Sequence, residues 1–179
     1  MDIKHTNGIP VYCLHEQMMD PDRLIPNPKN PNKHTDEQIR LLSKIIRANG
    51  WREAVTSSDL SGYIVRGHGR YEAAKLLGCQ VPVNVQHYES MDDELADLIA
   101  DNRIAELSTQ SKEELSILFN EIDFESIGED ATGFTVDEIS QIQDLISGEV
   151  ESLDLDDTDN RNDGGVTVVC PKCGFEHEI

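Results

Sequence analysis

The stretch that most constrains the fold is residues 63–78, which read YIVRGHGRYEAAKLLG. Its first three residues are β-branched or aromatic, which predicts a strand. Gly67-His68-Gly69 then interrupts the strand, and residues 70–77 are rich in Ala, Leu, Glu and Lys, which favour helix. Gly78 stands where a glycine commonly follows the last helical residue. The stretch therefore predicts a strand, a glycine turn and a helix.

Such a turn has the chemistry of a phosphate site. The first N–H groups of a helix are free, the positive end of its dipole lies there, and glycine lets an anion approach the backbone. Arg70 adds a guanidinium that can bind phosphate oxygens through two parallel donors. The alternative is an ordinary turn whose Arg70 pairs with Glu53 or Glu72, because short glycine motifs occur often by chance.

A second helix is predicted from its start signal. Thr35-Asp-Glu-Gln38 is a capping box, and residues 39, 42, 45 and 46 place Ile and Leu on one helical face. Asn49-Gly50 predicts its end. Residues 20–33 before it contain four prolines and are predicted to form an extended loop.

The other elements of the first half are predicted to be strands. Residues 1–8 show no pattern and predict a loose start. Strands are predicted at residues 9–14, 51–57 and 81–86. Pro82 places the last of these at a sheet edge or makes Val81 its first residue.

The second half is predicted to be helical. Ser90 and Ser111 precede helices over residues 90–106 and 111–120, and Thr135-Val-Asp-Glu138 is a capping box for a third helix that ends at Gly148. The first of these should bury Leu95, Leu98, Ile99 and Ile104. The predicted divisions are a core over 1–88, a helical extension over 89–148, an acidic linker over 149–165 and a tail over 166–179.

Charge is distributed unevenly along the chain. Residues 22–87 carry ten Lys and Arg against six Asp and Glu, whereas residues 88–179 carry four against 26. The basic segment is compatible with contact to nucleotide or DNA. The acidic helical half opposes strong unaided DNA binding and is either a solvated surface or a contact for a protein partner.

Four cysteines, Cys13, Cys79, Cys170 and Cys173, are too few for a disulfide scaffold. No apolar run approaches a membrane span and no signal peptide is visible, so a cytoplasmic location is expected. Cys170-Pro-Lys-Cys173 has the spacing of half a zinc site, with His177 as a third ligand. The fourth ligand would come from a second copy, which would make the tail a dimerisation clip, or from Cys13 or another histidine. The alternatives are a redox-active pair and a zinc-ribbon-like tail without metal.

The order of these features resembles a known superfamily. Asn27-Pro-Lys-Asn-Pro-Asn-Lys-His34, the capped helix, the hairpin, the stretch 67–78 and Val81-Pro-Val83 resemble the N-terminal domain of the ParB/sulfiredoxin superfamily. Residues 100–107 and 132–138 continue the likeness toward ParB-like nuclease-domain proteins of phages and mobile elements. The resemblance spans residues 11–147. It implies an α+β fold, with a small mixed sheet and helices, and a nucleotide phosphate on the glycine turn.

The chain also departs from the superfamily pattern. ParB proteins typically read Gly-Glu-Arg-Arg at the turn, where this chain keeps only Gly67 and Arg70. Sulfiredoxins place a reactive cysteine in the turn, and this chain has none there. The second ParB nucleotide motif, Glu-Asn-Leu-Gln-Arg, appears as residues 101–105 without its final arginine, and no basic helix-turn-helix follows. Sulfinic-acid reduction and partition-site recognition are therefore not expected.

The predicted site combines the turn with residues elsewhere. Gly67, His68, Gly69 and Arg70 hold phosphate, His68 and Glu53 act as acid or base, and Asp101 binds Mg²⁺ beside Asn102. Thr35 assists at the phosphate or is only a helix cap. His68 is alternatively a solvent-facing turn residue, and Asp101 and Asn102 a helix surface pair. The loop residues Asn30, Asn32 and His34 lie close to Thr35 in the chain.

Three functions remain open from the sequence. The first is a ParB-like protein that binds ATP or CTP with Mg²⁺ and hydrolyses phosphate bonds in DNA metabolism, as an NTPase or nuclease. The second is a small-molecule kinase of the same fold. The third is a non-catalytic interaction module that assembles homo-oligomers.

Overall fold

The computed structural model describes residues 3–151, 167–169 and 176–178. The described residues fall into two compact units that divide between Ile146 and Ser147. The first unit holds a five-stranded mixed sheet with the order β3-β7-β5-β6-β4 and a separate β1-β2 hairpin. The predicted class, a small mixed sheet with helices, is confirmed.

The first half of the chain contains both strands and helices, and the segment from α3 to α6 is helical. The strands of the first unit are β1 Lys4–Thr6, β2 Ile9–Val11, β3 Gln17–Met19, β4 Ile25–Pro26, β5 Val55–Ser58, β6 Tyr63–Arg66 and β7 Val81–Gln86. The helices are α1 Asp36–Asn49, α2 His68–Leu77, α3 Met91–Leu107, α4 Lys112–Glu121, α5 Phe124–Ile127 and α6 Val136–Glu151. In the second unit, β8 Thr167–Val169 pairs antiparallel with β9 Glu176–Glu178.

Both predicted capping boxes are formed. Thr35 Oγ1 accepts the Gln38 N–H at 3.2 Å while the Gln38 side chain accepts the Thr35 N–H at 3.1 Å. Thr135 and Glu138 repeat the arrangement at α6. These caps satisfy N–H groups that a helix start leaves unpaired, which fixes where α1 and α6 begin. The last helix continues to Glu151, past its predicted end at Gly148.

The predicted loose start contains a hairpin instead. β1 pairs antiparallel with β2, and Asn7-Gly8 forms the turn with positive φ at both residues. Asn-Gly is the dipeptide most typical of a tight hairpin turn, and it was the overlooked signal. The hairpin is tied to the core, because Thr6 Oγ1 accepts the Gln80 N–H at 2.7 Å. The predicted strand 9–14 is correspondingly shorter and ends at Val11.

The proline-rich segment is not loop throughout. It contains a 3-10 turn at Pro21–Arg23 and the short strand β4. β4 runs parallel to β6, with Ile25 opposite Tyr63 and Pro26 opposite Ile64. An edge strand tolerates Pro26, because its missing N–H can face away from the ladder. This pairing carries the following residue, Asn27, toward the glycine turn.

One of the two alternatives for β7 is confirmed, and one predicted strand boundary is wrong. β7 begins at Val81 as one prediction had it, but it lies between β3 and β5 rather than at an edge. Trp51 was predicted to begin a strand over residues 51–57, but it lies outside β5 and forms a single bridge with Val11. Its side chain is fully buried in the main core, and its backbone N–H donates to the Pro10 carbonyl at 2.8 Å.

The predicted apolar stripe of α3 is also wrong. Leu98 is buried and Leu95 half-buried, but Ile99 is 58% exposed and Ile104 is 70% exposed. α3 packs on β6, and the acids Glu94 and Asp97 lie on its inward face. Glu94 is fully buried there, next to the small cluster formed by Leu98, Val65 and Tyr88.

The main core lies between the sheet and helices α1 and α2. Among the described helices, none combines the length and apolar character needed to cross a membrane. The largest fully buried side chains are Trp51, Ile64, Leu98, Glu94, Val55, Val65, Val81, Val83 and Pro82. Phe119 of α4 packs on Phe134, which precedes α6, with their rings 5.3 Å apart.

Candidate functional site

The glycine turn lies where β6 ends and α2 begins. Gly67 has φ +88° and ψ 30°, a left-handed conformation that strains any residue with a side chain. A Cβ at Gly67 would also lie 3.1 Å from the Arg70 guanidinium and 3.2 Å from Val55. Glycine is therefore needed both for the backbone conformation and for room.

The turn presents backbone donors at the start of α2. The first helical hydrogen bond runs from the Tyr71 N–H to the Gly67 carbonyl at 3.0 Å. The N–H groups of His68, Gly69 and Arg70 precede that bond and have no helical acceptor. They lie at the positive end of the α2 dipole, which favours an anion.

Gly69 lets another segment approach the turn closely. A Cβ at Gly69 would meet His34 Nε2 and Leu42 Cδ2, both at 3.3 Å. The loop before α1 and the first half of α1 therefore pack directly against the turn. This contact brings His34 to the side of the turn that also carries His68.

Arg70 is mostly buried and only partly paired. Its side chain is 22% exposed, and Nη1 donates to the Glu53 carboxylate. The ion pair with Glu53 is thus present, whereas Glu72 pairs with Lys75 at 3.4 Å. Arg70 Nε is buried and finds no hydrogen-bond acceptor among the described residues. One N–H of the guanidinium therefore has no acceptor among the described residues.

His68 is a half-buried acceptor in the turn. Its Nε2 accepts the backbone N–H of Asn27 at 3.3 Å, so this nitrogen carries no proton. Burial lowers the pKa of His68 below its ordinary value, the nearby His34 adds to this, and Glu72 opposes it. The imidazole is therefore neutral near pH 7, with its proton on Nδ1.

A cleft of about 220 Å³ joins the turn to α3. Its lining is Asn30, His34, Leu42, Val65, Gly67, His68, Gly69, Arg70, Asp101 and Asn102. Six of these residues were predicted for the site. They come from two segments, 67–70 and 101–102, that lie more than thirty residues apart in the chain. A second cleft of about 380 Å³, lined in part by Asn27, shares Asn30, His34 and His68 with the first.

Asp101 and Asn102 supply oxygens to this cleft. The Asn102 amide nitrogen donates to the Leu98 carbonyl at 3.0 Å, which leaves its side-chain oxygen as the free atom. The Asp101 carboxylate lies 3.9 Å from Arg66 Nε. One carboxylate and one amide oxygen fit Mg²⁺, which takes few protein ligands and completes its shell with phosphate and water. Among the described residues, no group of three His, Cys, Asp or Glu side chains is arranged for a metal ion.

Two predicted residues lie outside the cleft lining. The Thr35 hydroxyl is engaged in capping α1, and Glu53 reaches the site only through its ion pair with Arg70. The predicted zinc ligands Cys170 and Cys173 lie outside the described residues, and His177 belongs to β9, where the backbone alone is described.

Several residues at the site were not foreseen from the sequence. Arg66 pairs with Asp97 and lies near Asp101, and Tyr88 donates to Asp97 at 2.7 Å. Burial opposes ionisation of Asp97, but hydrogen bonds from Arg66 and Tyr88 hold the pKa of Asp97 below its ordinary value. This network fixes the start of α3 beside β6 and so places Asp101. The spacing of Glu94, Asp97 and Asp101 on one helical face was the available signal.

A larger cleft lies elsewhere in the first unit. It has a volume of about 500 Å³, lies between α1 and α2, and is lined partly by Arg40, Lys44 and Arg47. It lacks the helix start and the unpaired arginine nitrogen of the smaller cleft, and its carboxylate, Asp130, is paired with Lys44 at 3.0 Å. Convergent polar groups distinguish a binding site more sharply than volume does, so the smaller cleft is the candidate site.

Two histidines should titrate on opposite sides of the ordinary imidazole pKa, about 6.5. Burial lowers the pKa of His68, whereas the hydrogen bond to Asp59 raises the pKa of His87. Neutral His68 makes its full contribution to the free energy of unfolding at pH values above that ordinary pKa. This contribution is lost as the pH falls below it. The His87–Asp59 pair makes its full contribution to the free energy of unfolding at pH values below the ordinary pKa. This contribution is lost as the pH rises through the raised pKa of His87.

Side-chain NMR titration checks this order directly. Asp59→Asn should return the His87 pKa toward its ordinary value and leave His68 unchanged, because Asp59 contacts only His87 of the two. Titration of both histidines at the ordinary value would contradict the described contacts.

Comparison with known proteins shows a structural likeness. A chromosome-partitioning protein ParB from Caulobacter crescentus, C-terminally truncated and complexed with CTP-gamma-S, matches with a TM-score of 0.61 and 22% identity. The match covers 76% of this chain and 82% of that chain. The same protein complexed to the centromeric parS site matches with a TM-score of 0.41 and 20% identity, covering 76% of each chain.

No family model matches the chain, and no curated protein matches it. The structural match to the nucleotide complex is broad in both chains but low in identity. It therefore bears on the fold and not on the activity. The chain has a ParB-like fold.

Proposed function

We propose that this chain binds a nucleoside triphosphate, ATP or CTP, with its phosphates at the turn of residues 67–70. The observation that carries the proposal is the convergence of three features on one cleft. These are the open helix start at Gly67, the unpaired Nε of Arg70, and the Asp101 carboxylate. Donors on one side suit phosphate oxygens, and an acid on the other suits a bridging Mg²⁺.

The ParB-like fold supports the same proposal. The structural neighbour with a TM-score of 0.61 was solved with a CTP analogue. The cleft of about 220 Å³ is below the range usual for pockets that enclose a whole ligand. It therefore suits the phosphate end of a nucleotide, with the base lying outside it.

Magnesium would bind at Asp101 and Asn102, where it would balance the charge of the phosphates. The residues of the chain would do the remaining work. Arg70 and the turn amides would hold the phosphate oxygens and stabilise negative charge on them. His68, as a neutral imidazole with its proton on Nδ1, would donate a hydrogen bond rather than supply a positive charge.

Phosphate-bond hydrolysis in DNA metabolism is the activity that we propose for this site, as an NTPase or nuclease of the phage ParB-like type. DNA would contact the basic segment 22–87, where Arg40, Lys44 and Arg47 lie along one helix. Contacts of this kind would make DNA affinity fall steeply with salt.

A nucleotide panel tests the proposal. Thermal unfolding should be recorded with ATP, CTP, GTP and ADP, each with Mg²⁺ and with EDTA. A ligand at about 100 times its dissociation constant adds about 2.7 kcal/mol to the stability of the folded state. At least one triphosphate should raise the unfolding temperature, and Mg²⁺ should enlarge the shift. No shift with any nucleotide would contradict the proposal.

A second candidate is a non-catalytic interaction module that assembles with a protein partner or a second copy. It is favoured by exposed aliphatic side chains on α3 and α4, among them Ile104 at 70% and Ile117 at 59% exposure. Where such exposed apolar side chains form one contiguous patch, they would bind a protein partner. Indifference to every nucleotide, together with concentration-dependent self-association, would favour this candidate.

A further inference from the structure

Glu94 is a fully buried acid that the proposed function does not use. It lies in the first turn of α3 and is 0% exposed. Its Oε1 accepts the Ser61 hydroxyl at 2.8 Å. Its Oε2 is buried and has no hydrogen-bond partner among the described residues. Burial of a carboxyl group with one unsatisfied oxygen is costly, so a packing role alone does not explain an acid at this position.

The second partner of Glu94 is Asn27, a buried residue of the proline-rich segment. The Asn27 amide nitrogen lies 3.5 Å from Glu94 Oε1, and the Asn27 amide oxygen accepts the Lys29 N–H at 2.9 Å. Both ends of the Asn27 side chain are therefore held. Of these two contacts, the one with Glu94 joins Asn27 to an element that is distant in the chain. The backbone carbonyl of Asn27 also accepts the Asn30 N–H at 3.1 Å, so the side chain and the backbone of this residue are held together.

The backbone of Asn27 in turn contacts the candidate site. Its N–H donates to His68 Nε2 at 3.3 Å. A backbone N–H can donate only to an unprotonated ring nitrogen, so this contact selects one tautomer of the neutral imidazole. The selected tautomer carries its proton on Nδ1, whereas in water the side chain prefers the proton on Nε2.

We infer that Glu94 is a positioning residue: through Asn27 it holds His68 as the neutral imidazole with its proton on Nδ1. One acid in α3 thereby links the helix that carries Asp101 to the turn that carries Arg70. Because Glu94 lines neither cleft that contains His68, it acts on the site without touching a ligand.

This inference deepens the proposed function and rests on it for its ligand. A neutral Nδ1–H donor suits an anionic oxygen, such as that of a phosphate, and cannot itself serve as a positively charged counterion. The chain then recognises phosphate at His68 through hydrogen-bond geometry and leaves charge neutralisation to Arg70.

The tautomer of His68 is measured by ¹⁵N NMR of the imidazole rings in the protein without nucleotide. The wild type should show an unprotonated Nε2 and a protonated Nδ1. Glu94→Ala and Asn27→Ala should each shift the tautomer ratio about fivefold toward the Nε2–H form, the change expected from loss of one hydrogen bond. Glu94→Gln keeps an acceptor oxygen and should restore the wild-type ratio.

Controls separate positioning from general damage. Leu98→Val perturbs the packing of the same helix without touching Asn27, and Asp92→Ala removes an exposed acid from the same first turn. Both should leave the tautomer ratio unchanged. Should Glu94→Ala fail to fold, Glu94→Met removes the acceptor oxygens while keeping the side-chain volume, and it should shift the ratio as Glu94→Ala does.

Two results would overturn the inference: a protonated Nε2 in the wild type, or a ratio that neither Glu94→Ala nor Asn27→Ala changes. Titration with CTP and ATP in the presence of Mg²⁺ tests the proposed function separately. A tautomer shift in the variants without nucleotide binding in the wild type would support the positioning role and refute the phosphate site.

Discussion

Replacement of Arg70 by alanine should weaken nucleotide binding about 10- to 100-fold. Hydrogen bonds to charged groups contribute about 1.5–3 kcal/mol each, and Arg70 is the cation that lines the cleft beside the helix start. Its Nε lacks a partner among the described residues, so a phosphate oxygen would satisfy a donor that is otherwise buried and unpaired. Calorimetric titration with Mg²⁺ and the nucleotide chosen from the panel measures the loss.

Glu53→Gln is the matched variant for this prediction. It removes the charge that pairs with Arg70 but keeps the guanidinium, and Glu53 is 70% exposed, so its loss should cost little stability. Without a competing carboxylate, nucleotide affinity should stay the same or rise. If Arg70 served only the ion pair, both variants would change stability slightly and neither would change affinity.

Replacement of Trp51 by alanine should destabilise the first unit by about 3–5 kcal/mol, the usual cost of truncating a buried tryptophan. Trp51 is completely buried in the main core. Its backbone also holds the segment after β2, since its carbonyl accepts N–H groups from Tyr12 and Cys13 at 2.9 and 3.1 Å. Domains are commonly stable by only about 5–15 kcal/mol, so the loss is a large share.

Urea unfolding followed by circular dichroism measures this loss. Leu14→Ala is the control, because Leu14 is 91% exposed and its truncation should change the free energy of unfolding by less than about 0.5 kcal/mol. A loss below about 1 kcal/mol for Trp51→Ala would contradict the burial of Trp51 in the main core.

The sequence predicted most of the local structure of the first half. Capping boxes, the glycine after α2 and the alternation of residues 81–86 are short-range signals, and each specified an element of the structure. Pairing between distant strands has no such signal. The position of β7 inside the sheet depends on β3, which lies more than sixty residues earlier and shows no strand pattern of its own.

The register of α3 shows why hydrophobic periodicity can mislead. The aliphatic residues Ile99 and Ile104 point to solvent, whereas Glu94 and Asp97 point inward. Buried acids are tolerated because specific partners, Ser61 for Glu94 and Arg66 for Asp97, lie on other elements. A pattern of apolar residues carries no information about such partners, so the inward face could not be identified before the structure.

The candidate site was predictable in its parts and less so in its arrangement. The turn chemistry of residues 67–70 follows from glycine and arginine alone. The resemblance to the ParB/sulfiredoxin superfamily predicted that this turn lies near Asp101. The structure describes the cleft that the turn and Asp101 share. The contact of Asn27 with His68 could not be foreseen, because it depends on the parallel pairing of β4 with β6.

Amide NMR during nucleotide titration tests the central claim most directly. With Mg²⁺ and increasing ATP or CTP, the amide signals of His68, Gly69 and Arg70 should move saturably, together with the side-chain amide of Asn102. The same titration with Arg70→Ala should need about 10- to 100-fold more nucleotide. Unmoved turn amides, or changes confined to the larger cleft between α1 and α2, would contradict a phosphate site at the turn.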